Sequence, residues 1–273
     1  MGEPNLAGDR PASYQAVVLQ ALAQLSGGDT NAVTLHRART HLRRLQAYFE
    51  LTGEDRHAES ISRCVVRVSA LRTLQVLMRY LKTHDAPRSD RKAVRRCLRA
   101  TREQLERTRA YVSIARIVRR HPPPPAPDNA AWLAERMQMV RDAHADALRR
   151  LTAEAGAKPR RKTLHRIRLL VKSIRYQEEW ALGHPFAMPG LIRGLKHAQT
   201  VLGDYEDLVQ FRKLARTMDL RSSAAINKAW RKARARARTL PARLCARLGG
   251  IAGARFRLVG SRRGLGQVAG QPA

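Results

Sequence analysis

Apolar residues recur every three or four positions along most of this chain, the period of helices that pack by one face. Leu35, Ala38, Leu42, Leu45 and Phe49 form one such stripe, and Leu164, Ile167, Val171 and Ile174 form another. No segment sustains period-two alternation, so no strand is expected. Glycines, prolines and capping residues divide the pattern into helices. The first opens at Pro11 and stops at Gly27-Gly28, the second runs from Asn31 to Thr52, the third from Glu54 to His84, and the fourth from Ser89 or Asp90 to Arg120. Beyond the proline run Pro122–Pro125 the expected helices are Asn129–Ala155, Arg160–Leu182, Pro189–Met218, and one from Ser222 or Ser223 to just before Pro241. The expected fold is all-α, with eight helices in two four-helix bundles. The expected boundaries are a first bundle at 1–121, a stiff linker at 122–128, a second bundle at 129–248 and a flexible basic tail at 249–273.

The polar positions repeat as well. Leu35-His36-Arg37-Ala38-Arg39 and Leu164-His165-Arg166-Ile167-Arg168 begin two stretches that both read L-H-R-x-R-x-x-x-[RK]-x-[LI], 129 positions apart and without a gap. Such a duplication points to two copies of one structural unit, related here by a pseudo-two-fold axis. At about 100° per residue, positions 0, +3 and +7 fall within an arc of roughly 60°. Each helix therefore carries a cationic rail: His36, Arg39 and Arg43 in one, His165, Arg168 and Lys172 in the other, extended by Arg175. Like charges one turn apart cost a few tenths of a kcal/mol per pair. A solvated helix face would normally intersperse acids, and neither rail contains one. An anion lying along the rails accounts for both facts.

Charge strengthens that reading. The chain has 53 Lys and Arg against 22 Asp and Glu, a formal net charge of +31. Self-repulsion on this scale calls for a polyanionic partner: nucleic acid, an anionic membrane or inorganic polyphosphate. The hydrophobic fraction of 44% allows a real core in 273 residues. Met1 to Pro11 is polar and no run approaches the roughly 20 apolar residues of a membrane span, so neither a leader nor a span is expected, and the location is read as cytoplasmic. Cys64, Cys97 and Cys245 lack metal-ligand spacing and read as small hydrophobes in packed helices.

The paired motifs resemble the CHAD family, the conserved histidine α-helical domain, whose hallmark is a His-x-x-Arg-x-x-x-[Arg/Lys] helix in each half. The stretch from Leu195 to Asp207 is similar to that family's L-K-x-x-Q-x-x-L-G-x-x-N-D. At the first-half counterpart Arg72 is kept, while Thr73 and Gln75 stand where the family usually has acids. Gln46 and Ser173 stand where a cation is common. The resemblance implies binding of long-chain inorganic polyphosphate in a basic groove or pore between the bundles. It implies contacts from His36, Arg37, Arg39, Arg43, Arg44 and Arg72, and from His165, Arg166, Arg168, Lys172, Arg175 and Lys196. Arginine forks suit phosphate oxygens, lysine adds a point charge, and histidine donates hydrogen bonds and becomes cationic at mildly acidic pH. Association with polyphosphate granules or polyphosphate-metabolising enzymes is the implied setting.

Two other functions fit less well. An enzyme of phosphoryl transfer needs carboxylates to hold a metal. The acid clusters, Glu178-Glu179 and Asp204, Glu206 and Asp207, read instead as ion pairs or caps on helix surfaces. No Glu-x-Glu-x-Lys strand or phosphate-binding glycine loop occurs, so no catalytic residue, cofactor or metal ligand is expected. Non-specific nucleic-acid binding fits the charge, but no recognition motif appears and aromatics make up only 5% of residues.

Overall fold

The computed structural model describes residues 11–125, 130–156, 159–182, 184 and 186–252. Among these residues every regular element is a helix: α1 (Pro11–Ser26), α2 (Ala32–Thr52), α3 (Asp55–Arg67), α4 (Ser69–Thr83), α5 (Arg88–Arg107), α6 (Ala110–Arg120), α7 (Ala130–Ala155), α8 (Arg161–Trp180), α9 (Pro189–Thr217), α10 (Ser223–Arg238) and α11 (Leu240–Ala252).

Eleven helices replace the eight expected, because two long patterns break and one further helix forms. At Val68 the helix breaks at φ −103° and ψ 8°, beside the Ser69 hydroxyl, which donates to the Val65 carbonyl at 2.8 Å. The break before α6 is at Arg109, which sits in the left-handed region at φ 46°, after Thr108, whose hydroxyl reaches the Gln104 carbonyl at 2.9 Å. Neither carries the Gly or Pro that would mark a stop. Pro241 lies in the first turn of α11, where its missing N–H is harmless. Residues 249–252, expected to begin the tail, are helical, and 253–273 lies outside the described residues, as do 126–128 of the expected linker.

The first rail helix is firmly terminated. Asn31 caps α2 by accepting from the Val33 amide at 2.9 Å. Gly53 ends it at φ 82°, a left-handed conformation that glycine adopts without a Cβ penalty. Leu35, Leu42, Leu45 and Phe49 then point into a core shared by α1 to α6, and each is fully buried. That core also takes Leu208, Phe211 and Ala215 from α9, Leu220 beyond it, and Ile226 from α10. A second core joins Leu148, Leu164, Ile167, Val171, Leu195, Leu202 and Ala237. Trp230 and Ala233 pack against both.

Direct contacts bring α2 against α8. Gln177 donates to the Ala47 carbonyl at 3.2 Å, and the Ser173 hydroxyl donates to Glu50. The side of α8 away from the rail is anchored by Arg141, which donates to both Glu178 oxygens at 2.7 Å and to the Phe186 carbonyl at 3.0 Å. Glu178 is 1% exposed, so this is a buried ion pair rather than the surface pairing expected. Tyr48 on α2 donates to the Pro124 carbonyl at 3.0 Å and holds the proline segment on the same helix. Asp90, 2% exposed, accepts from the Arg221 and Ser222 amides at 3.1 and 2.8 Å and ties α5 to the start of α10.

Candidate functional site: a cationic cavity

The packing of α2, α4, α8 and α9 leaves a cavity of about 550 Å³. His36, Arg39 and Arg43 enter it from α2, and Arg168, Lys172 and Tyr176 from α8. Arg72 and Thr73 come from α4, and Gln199, Gly203, Glu206, Asp207 and Gln210 from α9. The α2 rail lines the wall as a row one turn apart, about 5.4 Å per step, which is what its sequence spacing requires. The α9 residues fall at intervals of four, three, one and three, so they share one helix face. A Cβ built on Gly203 would meet nothing within 4 Å. Gly203 therefore leaves the cavity open where any other residue would project into it.

The cations are crowded and partly dehydrated. Burial first, then the charges of Arg168, Arg43 and Arg39, push the Lys172 ammonium down to about 6. Burial and the neighbouring Arg43, Arg72 and Arg168 push Arg39 down to about 10. Burial, followed by Arg72 and Arg39, also lowers His36. His36 thus resists protonation, contrary to the expectation that it charges at mildly acidic pH, first because it is buried and then because of Arg72, Arg39, Arg79 and Lys172 around it. Asp207 is a carboxylate inside this field, raised by burial although Arg168 and Lys172 draw it down. The arginines and the lysine each raise the others' charging cost, and negative charge placed among them lowers it.

A model of the CHAD domain matches residues 16–216, well over half of the chain. The chain belongs to the CHAD family. The crystal structure of the CHAD domain from the plant Ricinus communis is similar in fold, with a TM-score of 0.58 at 18% identity and 90% of each chain covered. Comparison with curated proteins finds no match. The CHAD match spans both rail helices and ends within α9.

Within this CHAD fold the expected contact residues divide. Six of them, His36, Arg39, Arg43, Arg72, Arg168 and Lys172, line the cavity. The other six lie outside its lining. Arg37 donates to Gln20 at 3.2 Å, and Arg166 pairs with Glu154 at 2.7 Å. Arg175 pairs with Glu179 at 2.7 Å and stacks over the Tyr176 ring at 4.2 Å. Arg44 approaches Glu179 at 3.9 Å. Lys196 is half-buried on α9, where its backbone carbonyl accepts from Thr200. His165 stands 3.6 Å from Glu206, a cavity-lining carboxylate. The second rail therefore enters the cavity through Arg168 and Lys172, and its histidine stands beside Glu206.

Sequence reasoning missed the polar wall of α9 and the relay behind Arg43. Arg43 donates to Gln46 at 2.7 Å, Gln46 donates to Glu50 at 2.8 Å, and Glu50 accepts from Ser173. Gln46 and Ser173, where the family often has cations, here orient a rail arginine and join α2 to α8. Glu206 accepts from Gln210 at 2.9 Å and from Arg161 at 3.3 Å, and it is 6% exposed, so it is a buried hub rather than a surface acid. The i,i+4 spacing of Glu206 and Gln210 was the signal for that hydrogen bond. Among the described residues no group of three or more His, Cys, Asp or Glu could hold a metal, and no helix is long and apolar enough to cross a membrane.

Proposed function

We propose that this protein binds long-chain inorganic polyphosphate without turning it over. The observation that carries the reading is that Arg39 and Arg43 from one copy of the motif and Arg168 and Lys172 from the other line a single cavity. A slender polyanion with one charge per unit suits a recessed row of cations. Each guanidinium contact with a phosphate oxygen contributes about 1.5–3 kcal/mol before any desolvation is charged against it. The finer architecture belongs to the same proposal: two four-helix bundles related by the internal repeat, with the basic groove between them. Membership of the CHAD family supports both.

The absence of turnover rests on the chemistry of the lining. Glu206 accepts from Arg161 and Gln210, and Asp207 is surrounded by Arg168, Lys172 and Arg72, basic groups that oppose a metal ion beside it. The role follows as cytoplasmic polyphosphate-granule association or regulation of polyphosphate-metabolising enzymes. Titration with long polyphosphate and with triphosphate at near-physiological salt tests the reading. Long chains should bind far more tightly, because they engage both rails and gain effective concentration at the second. Incubation with Mg²⁺ or Mn²⁺ should leave chain length unchanged. Equal affinities, or release of orthophosphate that is lost on mutating Asp207, would overturn it.

A further inference from the structure

A second group of cations lies on the far side of α9. Arg212 follows Gly203 by nine residues, which at about 100° per residue puts it opposite the cavity wall. Its guanidinium lies 3.8 Å from the centre of the Trp230 ring, and its Nε donates to Asn227 at 2.6 Å. Arg234 covers the same ring at 5.1 Å. Arg216 stands one turn beyond Arg212, and its charge, after burial, lowers the Arg212 guanidinium. On the side of α10 away from Trp230, Lys228, Arg231 and Lys232 are all exposed and spaced as one face. Among the described residues none of these six cations forms an ion pair within 4 Å.

Such a surface is costly without a ligand. Arg212 is fixed by a hydrogen bond and a stacked ring, so its remaining N–H groups are preorganised for an oxyanion, yet no protein acid meets them. The like charges around it repel. The surface lies on the outside of two helices, whereas the cavity is recessed among four. An open helix face engages one side of a broad, stiff polyanion, and duplex nucleic acid carries one charge per 1.7 Å with its phosphates outermost. Ala224, Ala225 and Ala235 on α10 are exposed and small, and let a backbone come close.

We propose that the cations of α9 and α10 outside the cavity, Arg212, Arg216 and Arg234 around Trp230 and the exposed Lys228–Lys232 row on the other side of α10, bind the phosphate backbone of duplex nucleic acid independently of the cavity. The test is fluorescence anisotropy with a mixed-sequence DNA duplex, on the full chain, across roughly 50–200 mM salt. The variant is Arg216→Ala with Arg231→Ala and Lys232→Ala, three exposed side chains whose loss leaves packing intact. Wild-type protein should bind with a steep salt slope, and the variant's slope should be shallower by about 2.7, with affinity lower by at least about tenfold. The Arg39→Ala, Arg168→Ala protein should bind the duplex as wild type does. Failure of wild-type protein to bind, unchanged binding by the outer variant, or loss confined to the cavity variant would overturn the proposal. Loss of polyphosphate binding instead of duplex binding in the outer variant would overturn the choice of nucleic acid.

Discussion

Gly203 offers a perturbation that ordinary damage cannot imitate. It sits inside α9, where glycine costs about 0.8–1.0 kcal/mol relative to alanine. It faces the cavity, and an added Cβ meets nothing within 4 Å. Gly203→Ala should therefore stabilise the protein by about 0.5–1 kcal/mol and leave ligand binding nearly intact. Gly203→Leu should keep most of that stabilisation, since leucine is close to alanine in helix propensity. Its side chain, however, occupies the space that separates α9 from Arg168 and Lys172 on α8. Loss of two charge-assisted contacts, at about 1.5–3 kcal/mol each, corresponds to a fall in polyphosphate affinity of at least about a hundredfold. The assay pairs thermal or denaturant unfolding with calorimetric titration of long polyphosphate. Rising stability with collapsing affinity is the expected signature. A Gly203→Leu protein that is more stable and binds normally would show that the ligand does not pass through this cavity.

Lys172, pushed down to about 6, is largely neutral in the free protein at neutral pH, so polyphosphate binding should take up a proton there and weaken by up to tenfold per pH unit above 6. Calorimetry in buffers of different ionisation enthalpy should show this uptake and Lys172→Arg should abolish it; equal heats in all buffers would refute it. The sign for folding is opposite: the unfolded lysine, at 10.5, holds more protons than the folded one, so the free protein's stability should rise with pH between about 6 and 10.5 in an unfolding series. Asp207→Asn removes a negative charge from the cavity and should tighten polyphosphate binding several-fold at low salt; weakened binding would mean that the carboxylate organises the cations. Glu178→Ala strands a buried guanidinium and should cost about 3–5 kcal/mol by denaturant unfolding, while a loss under 1 kcal/mol would mean that Arg141 finds another partner.

Much of this architecture was legible because helix periodicity acts locally. The stripe Leu35, Ala38, Leu42, Leu45 and Phe49 had to be buried, and that fixed which side of α2 the rail could occupy. The stops at Val68 and Thr108 were not legible, because no Gly or Pro marks them and the hydroxyl-to-carbonyl bonds found there also occur at Thr73 and Thr101 inside unbroken helices. The repeat identified the candidate cations but could not rank them. Arg37 and Arg39 are two residues apart on one helix, and only packing shows that Arg39 enters the cavity while Arg37 turns to Gln20. His36 was legible as a site residue and illegible as a titrating one, since its protonation depends on Arg72 and Arg79 from another helix. Glu206 read as a surface acid because nothing local shows that Arg161 and His165 converge on it.

The most direct test of the central claim is calorimetric titration of long polyphosphate into three proteins: wild type, Arg39→Ala with Arg168→Ala, and a chain lacking residues 253–273. One arginine from each rail is removed in the double variant, and both line the cavity. At near-physiological salt the double variant should lose about 3–6 kcal/mol of binding free energy, and the shortened chain far less. Normal binding by the double variant, together with loss on shortening, would contradict the account.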